Sequence, residues 1–324
     1  MSRGQFFAVD RQHFEKACDL GLHPALAYLV IAAGTLRDMR TSAWSADAVR
    51  RYCRSRWDWA HDAIEILQRR RLLTRDRKSA STRPRYLLGV LKDPVWLPNA
   101  LVTGAAQEDP GVAWLRREDN VDALRLLVRL YAVHDLHQAG GIPTNVMFLP
   151  YQRAKIIERG PHVFWGFNLG HHQYYPRASV FKRFNESRTL DAMAALDRVG
   201  LVYYVPWVFD APHISSGCPV FPVDGDSGQI VYDAISDWVA SLSEAPGLQT
   251  VLDDYDYVIP MERSFSKIDL VGVAQLRYLP RGNYTLQAVH DRHQNCLQHA
   301  AVYRALAEGV PLHEIKKQAS GRHQ

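Results

Sequence analysis

The chain has 324 residues, 47% hydrophobic and 23% charged. That is enough apolar material for two or three packed domains, and it excludes a disordered or low-complexity chain. The formal net charge of +5 hides a strong segregation: residues 69–85 carry +7, residues 151–188 and 263–324 carry +5 each, and residues 205–262 carry −10 with no Lys or Arg. Basic segments flanking an acidic one suit a protein that offers one face to a polyanion and keeps other surfaces away from it. Cys18, Cys53, Cys218 and Cys296 stand far apart, at no zinc or redox spacing, which points to reduced thiols and a cytoplasmic protein. No stretch has the make-up of a signal peptide or the length of a membrane span.

In chain order, residues 6–20 read as a short strand and a helix stopped by Gly21. His23-Pro24 opens a second helix, and Ala25–Thr35 is apolar nearly all round, as a buried helix is. Ser45 followed by Asp47 predicts a short helix over 46–53. Ser55 is the next N-cap candidate, with Asp58 in the first turn of a helix running to about Arg71. Trp57, Ala60, Ile64 and Leu67 share one face of it, and Asp58, Trp59, Asp62 and Glu65 the other. Leu72-Leu73-Thr74 leaves as a strand, Arg75–Pro84 is a basic turn, and Arg85–Leu91 returns as a second strand. Helix, tight turn, helix and hairpin beside eight Arg or Lys form the footprint of a polyanion binder. The competing interpretation is an ordinary solvated charge run at a helix end.

Residues 92–119, with three prolines and two glycines, read as a linker. Asn120–Leu136 is an amphipathic helix, and Arg188–Phe209 is a helix running into a strand. Residues 62–72 and 191–201 align without a gap, with Asp, Ala, Leu, Arg and Leu coinciding at five positions. A repeat this long and imperfect predicts a second copy of the first domain over 120–209. That copy would carry an insertion at about 142–187, where basic residues alternate with aromatics such as Phe164, Trp165 and Phe167. The insertion has two readings, phosphate contacts with base stacking or a core with solvated charges. Residues 210–324 start as an acidic, loop-rich stretch. A helix over about 230–243, strands ending near Pro260 and Leu279, a long helix over 285–308 and a polar tail follow.

Residues 22–91 resemble a winged helix-turn-helix DNA-binding domain of the bacterial regulator type, and two such units in tandem are similar to the layout of plasmid replication initiators. The resemblance implies an α+β, mainly helical fold of two winged-helix domains with a C-terminal α/β extension. It implies double-stranded DNA as partner, bound by the third helix of each copy and by the wing. Carried onto this sequence, the contacts are Arg54, Ser55, Arg56, Trp59 and Arg69 of the helix region, and Arg75, Arg77, Lys78, Arg83 and Arg85 of the wing. The second copy offers Lys182, Arg183 and Arg188. The chain departs from the pattern in its insertion and in Asp58, Asp62 and Glu65, which repel phosphates unless they read cytosine amino groups.

Little else in the sequence carries chemistry. His290, His293, Cys296 and His299 recur every three residues on one helix, so their directions rotate and all four cannot converge on one ion. Asp224-Gly-Asp226-Ser-Gly228 resembles part of a calcium loop without its bidentate Glu. No phosphate-binding loop, nucleophile elbow or dinucleotide fingerprint occurs. The expectation is therefore a non-enzymatic, cofactor-free, sequence-specific DNA-binding protein, a transcriptional regulator or replication initiator, able to act as a monomer or a homodimer. Two alternatives stand beside it: a metal-dependent nucleic-acid enzyme built on Asp224, Asp226, Asp253, Asp254 and Asp256, and a winged-helix protein-interaction adaptor.

Overall fold

The computed structural model describes residues 5–315 except 78, 81–83, 106–107, 138, 171–178, 183, 211–216, 243–252, 264–267, 280–281 and 312. The chain is a mixed α and β protein that divides into two compact units. Unit 1 comprises Met1–His134, Ser179–Tyr203 and Leu276–Thr285, and unit 2 comprises Asp135–Ala178, Tyr204–Gln275 and Leu286–Gln324.

Unit 1 is built around helix α2 (Leu22–Ala33), in which every residue except His23 is buried. Strand β1 (Phe6–Asp10) leads into helix α1 (Arg11–Asp19), whose N-cap Asp10 accepts the His13 N–H. After α2 come strand β2 (Thr41–Ser42), helix α3 (Ala46–Cys53), helix α4 (Trp57–Arg69), and strands β3 (Leu73–Arg75) and β4 (Tyr86–Leu88). The three strands form one antiparallel sheet in the order β2-β4-β3, with Leu73 opposite Leu88 and Arg75 opposite Tyr86. Ser42 ties the sheet to the central helix by donating from Oγ to the Ile31 carbonyl at 2.6 Å. On α4 the buried face is Ala60, Ala63, Ile64 and Leu67. Trp57, expected on that face, is 51% exposed, because it opens the helix beyond the reach of the core.

The expected N-cap also differs. Ser55 is spent on ending α3: its N–H and that of Arg54, which is left-handed at φ 52°, turn back to α3, with Ser55 N–H bonding the Arg50 carbonyl at 3.0 Å. The N-cap of α4 is therefore Arg56, which makes no side-chain capping bond.

Residues 92–119 are not a free linker. Strand β5 (Pro94–Pro98) pairs with β1 along its whole length, and helices α5 (Ala100–Thr103) and α6 (Gly111–Glu118) bury Leu101, Val102, Val112 and Leu115. Buried Asp10 clamps this return by accepting the N–H groups of Lys92 and Asp93 at 2.8 and 3.0 Å.

The second winged-helix domain expected over 120–209 is not formed. Helix α7 (Val121–Val133) belongs to unit 1, where its Arg125 and Arg129 reach α1. Arg125 sits 3.1 Å from Glu15 and 2.6 Å from Asp19, and Arg129 donates to Glu15 at 2.5 Å. Ion pairs of buried Arg125 and half-buried Arg129 fasten this helix to the first copy and not to a copy of its own. The aligned repeat is nonetheless real at the level of one helix ending. Helix α8 (Glu186–Arg198) buries Thr189, Ala192, Met193 and Leu196, which align with Ala60, Ala63, Ile64 and Leu67. Arg71 at φ 59° and Gly200 at φ 62° then make the same turn. It is closed by Leu72 N–H to Leu67 and by Leu201 N–H to Leu196, both at 2.9 Å. Beyond it the copies diverge, since strand β8 (Val202–Asp210) enters a six-stranded sheet.

That sheet is the frame of unit 2, in the order β10-β7-β6-β11-β8-β9. Its members are β6 (Leu149–Arg159), β7 (His162–Leu169), β8, β9 (Cys218–Pro222), β10 (Tyr257–Glu262) and β11 (Ile268–Leu276). Helix α9 (Gly225–Leu242) and the body of helix α10 (Asn283–Ala307) cover it. Val231, Ile235 and Trp238 of α9 and Cys296, Ala300 and Tyr303 of α10 share a core with Phe164, Phe167 and Ile259. The insertion thus takes the core reading. Phe164 and Phe167 are buried, and the basic residues of β6 have partners within the unit: Arg153 on Asp269 and the Trp165 ring, Lys155 on Glu158, and Arg159 on the Leu242 carbonyl.

Candidate nucleic-acid interface

Helix α4 and the β3–β4 hairpin carry most of the residues singled out above. Twelve residues of helical rise, about 18 Å, separate Trp57 from Arg69. Along the exposed row, Trp57, His61, Glu65 and Arg69 follow one another at intervals of four, so they stand on one stripe. Arg56 is 86% exposed at the leading end, with its guanidinium 3.5 Å from Asp58. Arg69, Arg70 and Arg71 are exposed at the trailing end, and Arg75, Arg77 and Arg85 are exposed on the hairpin, which extends one step further through Asp76 N–H to the Arg85 carbonyl. Positive charge therefore lies at both ends of the helix and on the hairpin, and the middle is acidic through Asp58, Asp62 and Glu65. Such a surface can neutralise phosphates at its margins and accept amino protons of bases at its centre.

Several expected contacts are otherwise engaged. Arg54 lies 3.3 Å from Asp109, whose carboxyl is held below its ordinary range by Arg117 first and Arg54 second. Ser55 is half-buried in the turn. Trp59 packs its ring on His23, centroids 4.3 Å apart, and burial holds that imidazole below its usual pKa. Arg188 makes a two-bonded pair with Asp122, at 2.8 and 2.7 Å, and is an internal clamp of unit 1. Lys182 is exposed, and its carbonyl accepts from Arg129. Lys78, Arg83 and Arg183 lie outside the described residues. Trp57, expected on the buried face, is the surface group the sequence did not reveal, whereas Arg70 and Arg71 belong to the basic run over 69–85. The signal for Trp57 was its place in the first turn, where a side chain overhangs the helix end.

The alternative catalytic centre does not assemble. Asp224 and Asp256 line one cavity, but the five candidate aspartates do not bring three carboxylates together. On α10, Cys296 is buried in the core, His299 packs on Phe221, and His293 is 3.2 Å from the Ser227 hydroxyl. Among the described residues, the one group of three ligand-type side chains with converging atoms is His61, Asp62 and Glu65, all exposed on α4. Among those residues no helix is long and apolar enough to cross a membrane. No protein-family model, no curated protein and no solved structure matches this chain.

Proposed function

We propose that the protein binds double-stranded DNA through unit 1, with α4 as the reading helix in the major groove and the β3–β4 hairpin as a basic wing on the phosphates. The observation that carries this is the succession of α3, a turn closed at Arg54, α4, and a hairpin whose exposed side chains include Arg75, Arg77 and Arg85. A helix-turn-helix followed by a charged hairpin is the geometry in which one element enters a groove and the other straddles its edge. Arg69, Arg70, Arg75, Arg77 and Arg85 supply affinity without regard to sequence. Trp57, Asp62 and Glu65 supply discrimination: an exposed indole meets base edges and thymine methyl groups, and carboxylates accept from cytosine N4. The proposed biological role is transcriptional control or replication initiation.

Fluorescence anisotropy with a selected duplex and a shuffled duplex tests this. Replacing Arg69, Arg75, Arg77 and Arg85 together by Ala is expected to weaken both complexes alike, and Trp57→Ala to narrow the gap between them. If the wild-type protein binds neither duplex at low salt, the proposal is wrong. A second reading, an adaptor that docks a basic protein segment on α4, draws on Asp58, Asp62 and Glu65, and it predicts that binding survives the loss of the hairpin charges.

A further inference from the structure

The acidic segment takes no part in the proposed DNA contact, yet it builds a cavity of about 520 Å³ in unit 2. Three of its walls are tyrosines: Tyr151 from β6, Tyr232 from α9 and Tyr257 from β10. The Tyr257 ring meets Tyr151 at a centroid distance of 5.8 Å and 74°, and Tyr232 at 5.3 Å and 71°. Rings meeting at such steep angles pack edge to face, and all three border the cavity. Asp224 and Asp256 share the rest of the lining with Leu169, Val223 and Gln229, and among the described residues no basic side chain joins them. Each carboxylate is fixed through one oxygen: Asp256 Oδ2 accepts the Leu169 N–H at 2.7 Å, and Asp224 Oδ1 accepts the Gly225 N–H at 2.6 Å. Among the described residues the second oxygen of each has no hydrogen-bond donor from the protein.

The chemistry of this lining selects a ligand class. Anions are repelled by two carboxylates in a segment of charge −10. A purely apolar ligand has no use for the carboxylates. A hard divalent cation wants six or more oxygens and gains little from three ring faces. A methylated ammonium group has a diffuse charge, is weakly hydrated, and is attracted both by aromatic faces and by a nearby negative field. The tyrosines remain neutral phenols at neutral pH: burial first, then Tyr257, Asp256 and Asp224, pushes the Tyr151 hydroxyl well above its ordinary range, and burial followed by Asp224 raises Tyr257. We infer that the cavity is a binding site for a methylated ammonium cation, with Tyr151, Tyr232 and Tyr257 as the cage and Asp224 and Asp256 as its counter-charges. This inference is independent of the DNA-binding proposal, since its residues all belong to unit 2.

Isothermal titration of the full chain with choline, and with 3,3-dimethylbutan-1-ol as the uncharged ligand of the same shape, tests it. Choline is expected to bind saturably and at least about 10-fold more tightly than the alcohol, the ratio that a cation–π contribution of about 1.4 kcal/mol produces. Tyr257→Leu, which keeps an apolar side chain at the cage wall, should weaken choline about 10-fold or more. Asp224→Asn, an exposed change that spares the fold, should weaken choline and leave the alcohol unaffected. Peptides bearing trimethyllysine or unmodified lysine identify the source of the cation. A trimethyllysine peptide that outcompetes choline marks a modified protein, whereas choline outcompeting the peptide marks a free small amine. Equal binding of choline and the alcohol, no saturable choline binding, or undiminished choline affinity in both variants with folding retained by circular dichroism would overturn the inference.

Discussion

Asp10 is a single side chain on which two strands and a helix depend. It is 2% exposed and accepts three backbone N–H groups, from His13, Lys92 and Asp93. Burial alone would raise its carboxyl pKa, but those three donors outweigh it and hold it below the ordinary value. A folded-state pKa below the unfolded one contributes stability above about pH 4 that is lost as pH falls through the lowered value. Asp10→Ala should cost unit 1 about 2–3 kcal/mol, read by urea unfolding at pH 7, and should flatten the acid limb of its stability curve. His299 works in the opposite pH range. Burial near the Phe221 ring holds its imidazole below the usual value. The unfolded chain then binds the extra proton, and unit 2 loses stability as pH falls below about 6.5. His299→Leu should reduce the fall in melting temperature between pH 7.5 and 5.5; an unchanged slope would remove His299 as its cause. At Gly34 a Cβ would lie 2.3 Å from Trp44 Cγ. Gly34→Ala should therefore destabilise by about 1–3 kcal/mol through overpacking.

Among the elements, α4 shows how far a period can be read. Ala60, Ile64 and Leu67 recur at three and four residues, and all are buried; Leu67→Ala and Leu196→Ala should each cost about 2–5 kcal/mol. The same pattern placed Trp57 inside, because periodicity is blind to where a helix begins relative to the core it covers. The cap at Ser55 failed for a related reason: a residue closing one helix has already committed its backbone. The alternation of charge and aromatics in the insertion was legible as an ambiguity, and pairing with β7 decided it. Once β6 and β7 form a hairpin, Phe164 and Phe167 join the core that α9 and α10 contribute to, and Arg153 and Lys155 find carboxylates nearby. The three tyrosines of the cage were not legible, since Tyr151, Tyr232 and Tyr257 come from three elements far apart in sequence and meet through the sheet order.

For the molecule as a whole, the repeat does not extend to a second winged-helix domain. The local resemblance of 62–72 to 191–201 marks a shared helix ending, and tertiary pairing sends the following strands to different sheets. Unit 1 presents the basic hairpin, and the acidic segment 205–262 lies wholly in unit 2, where its Asp224 and Asp256 line the proposed cation site. The exposed arginines on α4 and the hairpin are proposed to neutralise DNA phosphates. The most direct test of this is the slope of log affinity for a duplex against log salt concentration. The comparison is between the wild-type chain and one with Arg75, Arg77, Lys78, Arg83 and Arg85 replaced by Ala. Each lost phosphate contact should reduce the slope by about 0.9, so a drop of several units is expected, together with weaker binding to every sequence. An identical slope in the two proteins would contradict it.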